Sequence, residues 1–230
     1  MTGLSARAAR PPRAPAALAD FAHIGRHWDR DHQQWSAKIL PGQYYVTRSD
    51  ELVDTVLGSS VAACIRDPLA GVGGMNHFML PETAERSSNA WLDPKNGLAT
   101  RYGSYAMESL INDLLKHGAQ RARLEVKLFG GGRIIDSSID VGACTIAFAR
   151  EFVHVEGLTV AAEDLGDNVP RKVVCYPLTG PVRLKRLNAL DRARENEAAE
   201  PRRADTRRRD RRWTASRFCA ISCGCGRCRS

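Results

Sequence analysis

A serine at the end of a turn and a histidine 17 residues later, Ser60 and His77, are the residues whose types and spacing could do covalent chemistry. A hydroxyl attacks an acyl carbon only when a neighbouring base takes its proton, and imidazole is the side chain suited to that near neutral pH. Ser60 closes the turn Gly58-Ser59-Ser60, and His77 sits in the run Gly73-Gly74-Met75-Asn76-His77-Phe78-Met79-Leu80-Pro81. By themselves a serine and a histidine in a hairpin also fit a structural role, with His77 satisfied by a backbone partner.

The elements around them decide whether they meet. Leu52 to Leu57 and Val61 to Arg66 read as strands, Asp67-Pro68-Leu69-Ala70-Gly71 as a turn, and Val72 to Leu80 as the returning strand of a hairpin. With a four-residue turn, paired positions are expected to sum to 137, placing Ser60 directly across from His77 at roughly 5 Å. A five-residue turn gives about 138, and the two side chains then point to opposite faces. Further strands are expected at Leu124–Phe129, Arg133–Ile135, Leu158–Glu163, Lys172–Tyr176 and Val182–Leu187, the last two joined by Thr179-Gly180-Pro181. Met107, Leu110, Ile111, Leu114 and Leu115 form a helical stripe after the turn residues Gly103-Ser104, stopped by Gly118. A second helix is expected over 142–154, with Ile146, Phe148, Ala149, Phe152 and Val153 on its apolar side. This mixture predicts a single α/β (α+β) domain over residues 39–190, a layered sandwich of mixed β-sheet packed with helices, with flexible tails.

Composition sets the outer bounds. A chain of 230 residues, 43% hydrophobic and 26% charged, has material for one ordinary core. Residues 1–38, rich in Ala, Arg and Pro, read as a disordered leader, and the Arg/Cys-rich residues 191–230 as a disordered tail. The net charge of +8 belongs to that tail: it carries 12 Arg against 6 acids, whereas residues 1–190 carry 22 Lys+Arg against 20 Asp+Glu. Charge confined to a tail argues against nucleic acid as a partner of the fold. No apolar run reaches the roughly 20 residues of a membrane span, and no signal sequence follows Met1, so a cytoplasmic protein without membrane insertion is expected. Cys64, Cys144 and Cys175 are scattered and read as buried small hydrophobes. Cys219, Cys223, Cys225 and Cys228 are spaced awkwardly for a tetrahedral ion, and His23, His27 and His32 read as a solvated polar face. No metal and no cofactor is expected. Glu163 and Asp164 could carry protons but read as a solvated strand end. Gly130-Gly131-Gly132 could offer amides to an oxyanion or make a plain turn; it is not a phosphate loop, because no Lys-Ser/Thr follows.

From Thr55 to Pro81 the sequence resembles the signature of the chemoreceptor glutamine deamidase (CheD) family. The likeness continues through Tyr102-Gly103-Ser104-Tyr105-Ala106-Met107, Lys127 to Gly132, Ala162-Glu163-Asp164-Leu165-Gly166 and Pro170-Arg171-Lys172-Val173, covering about 145 residues. The resemblance implies a layered α/β fold in a bacterial cytoplasmic hydrolase that converts glutamines of methyl-accepting chemotaxis receptors to glutamate. It also implies those receptors as partners, with a CheC-type phosphatase as a further partner in some members. In that family a cysteine nucleophile follows the Leu-Gly-Ser turn, a histidine follows 17 residues later, and a threonine precedes the cysteine. Carried over, the catalytic positions are Ser60, His77 and Thr55, with Asp54 as the neighbouring alternative for the last. Relatives also tend to carry Arg-Asn where this chain has Cys144-Thr145, a change expected to disturb local hydrogen bonds.

The departure at residue 60 falls on the reacting atom. A thiolate paired with imidazolium is a strong nucleophile at neutral pH; a hydroxyl must lose its proton during attack. Two outcomes follow: a protein-glutamine deamidase slowed by its serine, or a catalytically silent module that binds the receptor or the phosphatase.

Overall fold

The computed structural model describes residues 11–80, 98–134, 140–188 and 191. Among the described residues, ten strands form two five-stranded mixed sheets. The first sheet runs in the order β1 (Arg26–Asp29), β2 (Gln34–Lys38), β4 (Leu52–Leu57), β9 (Arg171–Cys175), β10 (Val182–Arg186). The second runs β3 (Tyr44–Thr47), β6 (Val72–Asn76), β5 (Val61–Asp67), β7 (Glu125–Gly130), β8 (Thr159–Leu165). Helices α1 (Leu98–Lys116) and α2 (Val141–Val155) pack on the second sheet, α1 over β3, β6 and β5, and α2 over β5, β7 and β8. The fold is an α+β sandwich, as the strand and helix patterns predict.

Burial explains the sequence texture. β5 and β6 lie between the first sheet and the helices, and all of their residues but Arg66 are buried, so they read as continuous apolar or small runs. β8, at an edge, is mostly exposed. The α1 stripe predicted from spacing is real: Met107, Leu110, Ile111 and Leu114 are fully buried against the sheet. Asp140 caps α2 by accepting the Ala143 amide at 2.9 Å, and Gly118 ends the segment after α1 with φ +96.

Several expectations need correction. Residues 1–38 are not all a leader: β1 and β2 belong to the first sheet, and Phe21, Ile24 and Ala37 are core residues. Trp28 and Trp35 face each other across β1 and β2 with ring centroids 6.0 Å apart, and Arg26 donates to Glu51 and to the Pro15 carbonyl. The apolar residues here are too widely spaced to show a period, because they dock singly onto strands supplied from elsewhere. β3 is likewise a strand that the turn-rich sequence conceals. β6 stops at Asn76, short of Leu80, and Arg133 and Ile134 form no strand. Helix α1 starts before Gly103, which sits where the helices cross: a Cβ there would lie 2.6 Å from the Phe148 ring. The four tail cysteines and the arginine run fall outside the described residues.

Candidate active site

The two sheets bring the three predicted residues to one end of the sandwich. Thr55 lies in β4 of the first sheet; Ser60 ends the crossing from β4 to β5 in the second; His77 directly follows β6. All three are buried. The hairpin register differs from both expected values: Cys64 pairs with Met75 and Val61 with Phe78, so partner numbers sum to 139. β5 runs one residue further than expected, to Asp67, whose carboxylate accepts the Leu69 and Ala70 amides and shapes the turn 68–71. Ser60 therefore falls opposite Met79, and His77 opposite Ala62. This sum has the parity of the four-residue-turn alternative, so Ser60 and His77 share a face, but as diagonal neighbours two residues offset rather than directly opposed.

Hydrogen-bond polarity fixes the state of the histidine. Thr55 Oγ1 lies 2.8 Å from the Ile39 carbonyl and 2.8 Å from His77 Nδ1. A carbonyl can only accept, so the single hydroxyl proton goes to Ile39 and the Thr55 oxygen accepts from His77 Nδ1–H. By this donor count Nε2 carries the lone pair. That nitrogen is buried and has no hydrogen-bond partner among the described residues, and burial lowers the imidazole from 6.5 to about 4. At neutral pH His77 is thus uncharged, with a free lone pair on its buried Nε2. Its backbone is clamped as well, the amide donating to Gln43 O at 2.9 Å and the carbonyl accepting from Gly42 N at 2.8 Å.

Asp54 is not the partner of His77. It accepts from Ser36 Oγ at 2.5 Å and lies 3.8 Å from His27 Nε2, on the side of β4 away from Thr55. Burial raises its carboxyl above the ordinary value.

Around Ser60 the glycines have a different task from the oxyanion role that their sequence allows. Gly131 N donates to Ser60 O at 2.7 Å and Gly132 N to Gly58 O at 2.8 Å, so both amides brace the turn that presents the hydroxyl. Gly130 and Gly131 have φ +109 and +68; a Cβ on the first would lie 2.2 Å from Ser60 O, and on the second 2.4 Å from Ile146. Ser59 Oγ lies 3.3 Å from Sδ of the exposed Met79. Ser60 and His77 share no hydrogen bond.

The remaining sequence candidates are accounted for elsewhere. Glu163 pairs with Arg150, and Asp164 with Arg171 and Arg186. His32 pairs with Asp29 at 2.9 Å, and no group of three or more metal-ligating side chains occurs among the described residues. Cys64 and Cys175 are buried free thiols, and Cys144 is half-buried. Thr145 donates to Val141 O at 2.7 Å and accepts the Leu80 amide at 3.3 Å, so it ties α2 to the segment after His77. Sequence reasoning missed the Ile39 carbonyl and the 40–43 turn, since backbone groups have no side-chain signature.

A family model described as CheD chemotactic sensory transduction matches residues 79–186, beginning just beyond His77. A protein of Halorhodospira halophila named "Probable chemoreceptor glutamine deamidase CheD" is 52% identical over 173 residues, 75% of this chain and 80% of its own. Similarly named proteins of Hydrogenovibrio crunogenus and Thiobacillus denitrificans are 52% and 50% identical, over 66% and 76% of this chain and 78% and 86% of theirs. A crystal structure from Neisseria meningitidis aligns with 55% of this chain and 54% of its own at a TM-score of 0.36 and 9% identity, a likeness too slight to bear on function. With identity near one half sustained over three quarters of its length, this chain belongs to the CheD family.

Proposed function

We propose that this protein acts in the bacterial cytoplasm on glutamine side chains of chemoreceptors, with Ser60 at the nucleophile position, His77 as base and Thr55 as the residue that orients it. The observation that carries this reading is the Ile39–Thr55–His77 chain, which leaves a bare, neutral Nε2 on the face that Ser60 shares. In the reaction the Ser60 proton passes to His77 Nε2 as Oγ bonds to the carboxamide carbon. His77 then protonates the departing nitrogen and ammonia leaves; water attacks the acyl-enzyme with His77 again as base, and the proton it takes returns to Ser60 Oγ as the ester bond breaks and glutamate is released.

Serine makes the first step slow. Thr55 carries no charge to stabilise an imidazolium, whereas serine hydrolases hold their histidine with a carboxylate. We expect turnover lower by roughly 10³-fold or more than with cysteine at this position. A second reading, a receptor-binding or CheC-type phosphatase-binding module, is favoured by the missing Ser60–His77 hydrogen bond.

Intact-mass analysis of a chemoreceptor cytoplasmic fragment after incubation with this protein or its Ser60→Cys variant tests both readings. Conversion of an amide to an acid adds about one mass unit per site, NH₂ being replaced by OH. Fast conversion by Ser60→Cys and slow or no conversion by the native chain is expected. Equal rates would remove the penalty assigned to serine, and no conversion by either would overturn the deamidase reading.

A further inference from the structure

We infer that Asn76 is a positioning residue for His77, acting as a polar wedge between β5 and β6; its bearing on catalysis rests on the function proposed above. The β5–β6 ladder is regular as far as Cys64 opposite Met75, and resumes where Val61 and Phe78 exchange both backbone hydrogen bonds at 2.8 and 2.9 Å. Between these rungs the Ala63 amide donates to the side-chain Oδ1 of Asn76 at 2.8 Å, where a regular strand would offer a backbone carbonyl. A side chain stands in for one rung of the sheet, immediately before the base.

The other end of the same carboxamide is also engaged. Asn76 Nδ2 donates to the Ala106 carbonyl of α1 at 3.0 Å and lies 3.4 Å from Met107 Sδ. The site is buried and calls for an acceptor on one side and a donor on the other, a pair that a neutral amide supplies in one plane. An apolar side chain would leave the Ala63 amide unpaired, and an ionised carboxylate would face the Ala106 carbonyl. Asn76 thereby sets the gap between the strand leading from Ser60 and the residue that bears the imidazole. The neighbouring clamp, His77 to Gln43 and Gly42, fixes the opposite edge. Between these two anchors the ring reaches Thr55 in the other sheet.

The test uses the full chain and two readouts. The first is ¹⁵N and ¹H NMR of the His77 imidazole, in which the Nδ1–H donated to Thr55 should give a slowly exchanging proton signal. The second is kcat and KM for receptor-fragment deamidation in the Ser60→Cys background. Asn76→Ala should abolish the slow proton while amide dispersion and helix content persist, and should lower kcat by about 10²-fold with KM little changed, the scale of a misplaced catalytic group. Asn76→Asp is the conservative variant: a protonated carboxyl can accept from Ala63 and donate to Ala106, so the signal should be present at low pH and lost as the carboxyl ionises. A chain that folds with Asn76→Ala and retains both the slow proton and kcat overturns the inference. If Asn76→Ala does not fold, a pH-independent His77 signal in Asn76→Asp does the same. Failure of Ser60→Cys to deamidate, with the NMR signature still responding to Asn76, would sink the proposed function and leave the wedge standing.

Discussion

Thr55 fixes which ring nitrogen of His77 carries the proton, and burial opposes the uptake of a second one. The histidine's folded value of about 4 lies below the ordinary 6.5, so between those two pH values the unfolded chain takes up a proton that the folded chain refuses. This stabilisation is complete above pH 6.5 and is lost as pH falls towards 4, about 3 kcal/mol in all at 1.36 kcal/mol per unit. Chemical denaturation of the native protein and of His77→Gln at pH 7, 5.5 and 4.5 should show the native stability falling more steeply. Parallel curves would refute the neutral buried imidazole. Asp54 works in the opposite sense: its carboxyl is raised by burial, so its ionisation costs stability as pH rises through its range, and the comparison of variants rather than the raw curve isolates His77. Thr55→Val tests the other end of the chain. It strips the acceptor from Nδ1–H and leaves the Ile39 carbonyl unpaired, for a loss of about 1–3 kcal/mol. In the Ser60→Cys background it should also slow deamidation with little change in KM; unchanged kcat would remove Thr55 from the site.

At the scale of elements, the Ser60 turn is rigid because β7 ends in two left-handed glycines whose backbone reaches it. Gly130→Ala would drive a methyl to 2.2 Å from the Ser60 carbonyl at φ +109. A clash with backbone has no rotamer to relieve it, so several kcal/mol of stability should be lost, together with the presentation of residue 60. Denaturant midpoints of Gly130→Ala against Gly157→Ala separate the two contributions. Gly157, at φ +62 with open space around its Cβ position, carries the conformational cost alone and should lose only about 1 kcal/mol. Equal losses would mean that the Ser60 contact does not constrain the turn. The same contrast shows what the sequence made legible. Strands β4 and β5 and both helices could be read because their apolar residues follow a period and are bounded by turns. Neither the hairpin's register nor its parity was legible: both hinged on whether Asp67 paired or turned, and its carboxylate settles that by accepting Leu69 and Ala70 amides. Ser60 and His77 were visible as side chains. The Ile39 carbonyl, the Gly42 and Gln43 clamp and the side-chain rung at Asn76 were not, because backbone groups are the same in every residue.

For the whole molecule, the site is a product of two sheets held in register, and the N-terminal segment is part of that register. β4, which carries Thr55, is flanked by β9 on one side and by β2 in parallel on the other, Ser36 to Lys38 pairing with Leu52 to Asp54. Phe21 packs edge-on against Tyr44 and Tyr45 at 5.4 and 5.5 Å, and Arg26 reaches buried Glu51, which also accepts from Tyr45 and Thr47. A chain starting at Ile39 would open the edge of β4, leave Glu51 without its cation, and expose the faces covered by Phe21, Ile24 and Ala37. At about 1.5–3 kcal/mol for each large apolar side chain uncovered, the loss is on the order of 5 kcal/mol or more. For a domain of this size that corresponds to a fall in Tm of about 10–20 °C. Because Thr55 and the Ile39 carbonyl lie on the strand edge that β2 supports, the slow His77 proton should disappear even at temperatures where the truncated chain is still folded. Thermal unfolding with NMR of the imidazole, on the full chain and on the chain lacking residues 1–38, checks both effects. A truncated protein with the original Tm and an intact His77 signal would mean that the first sheet holds Thr55 in place without β1 and β2.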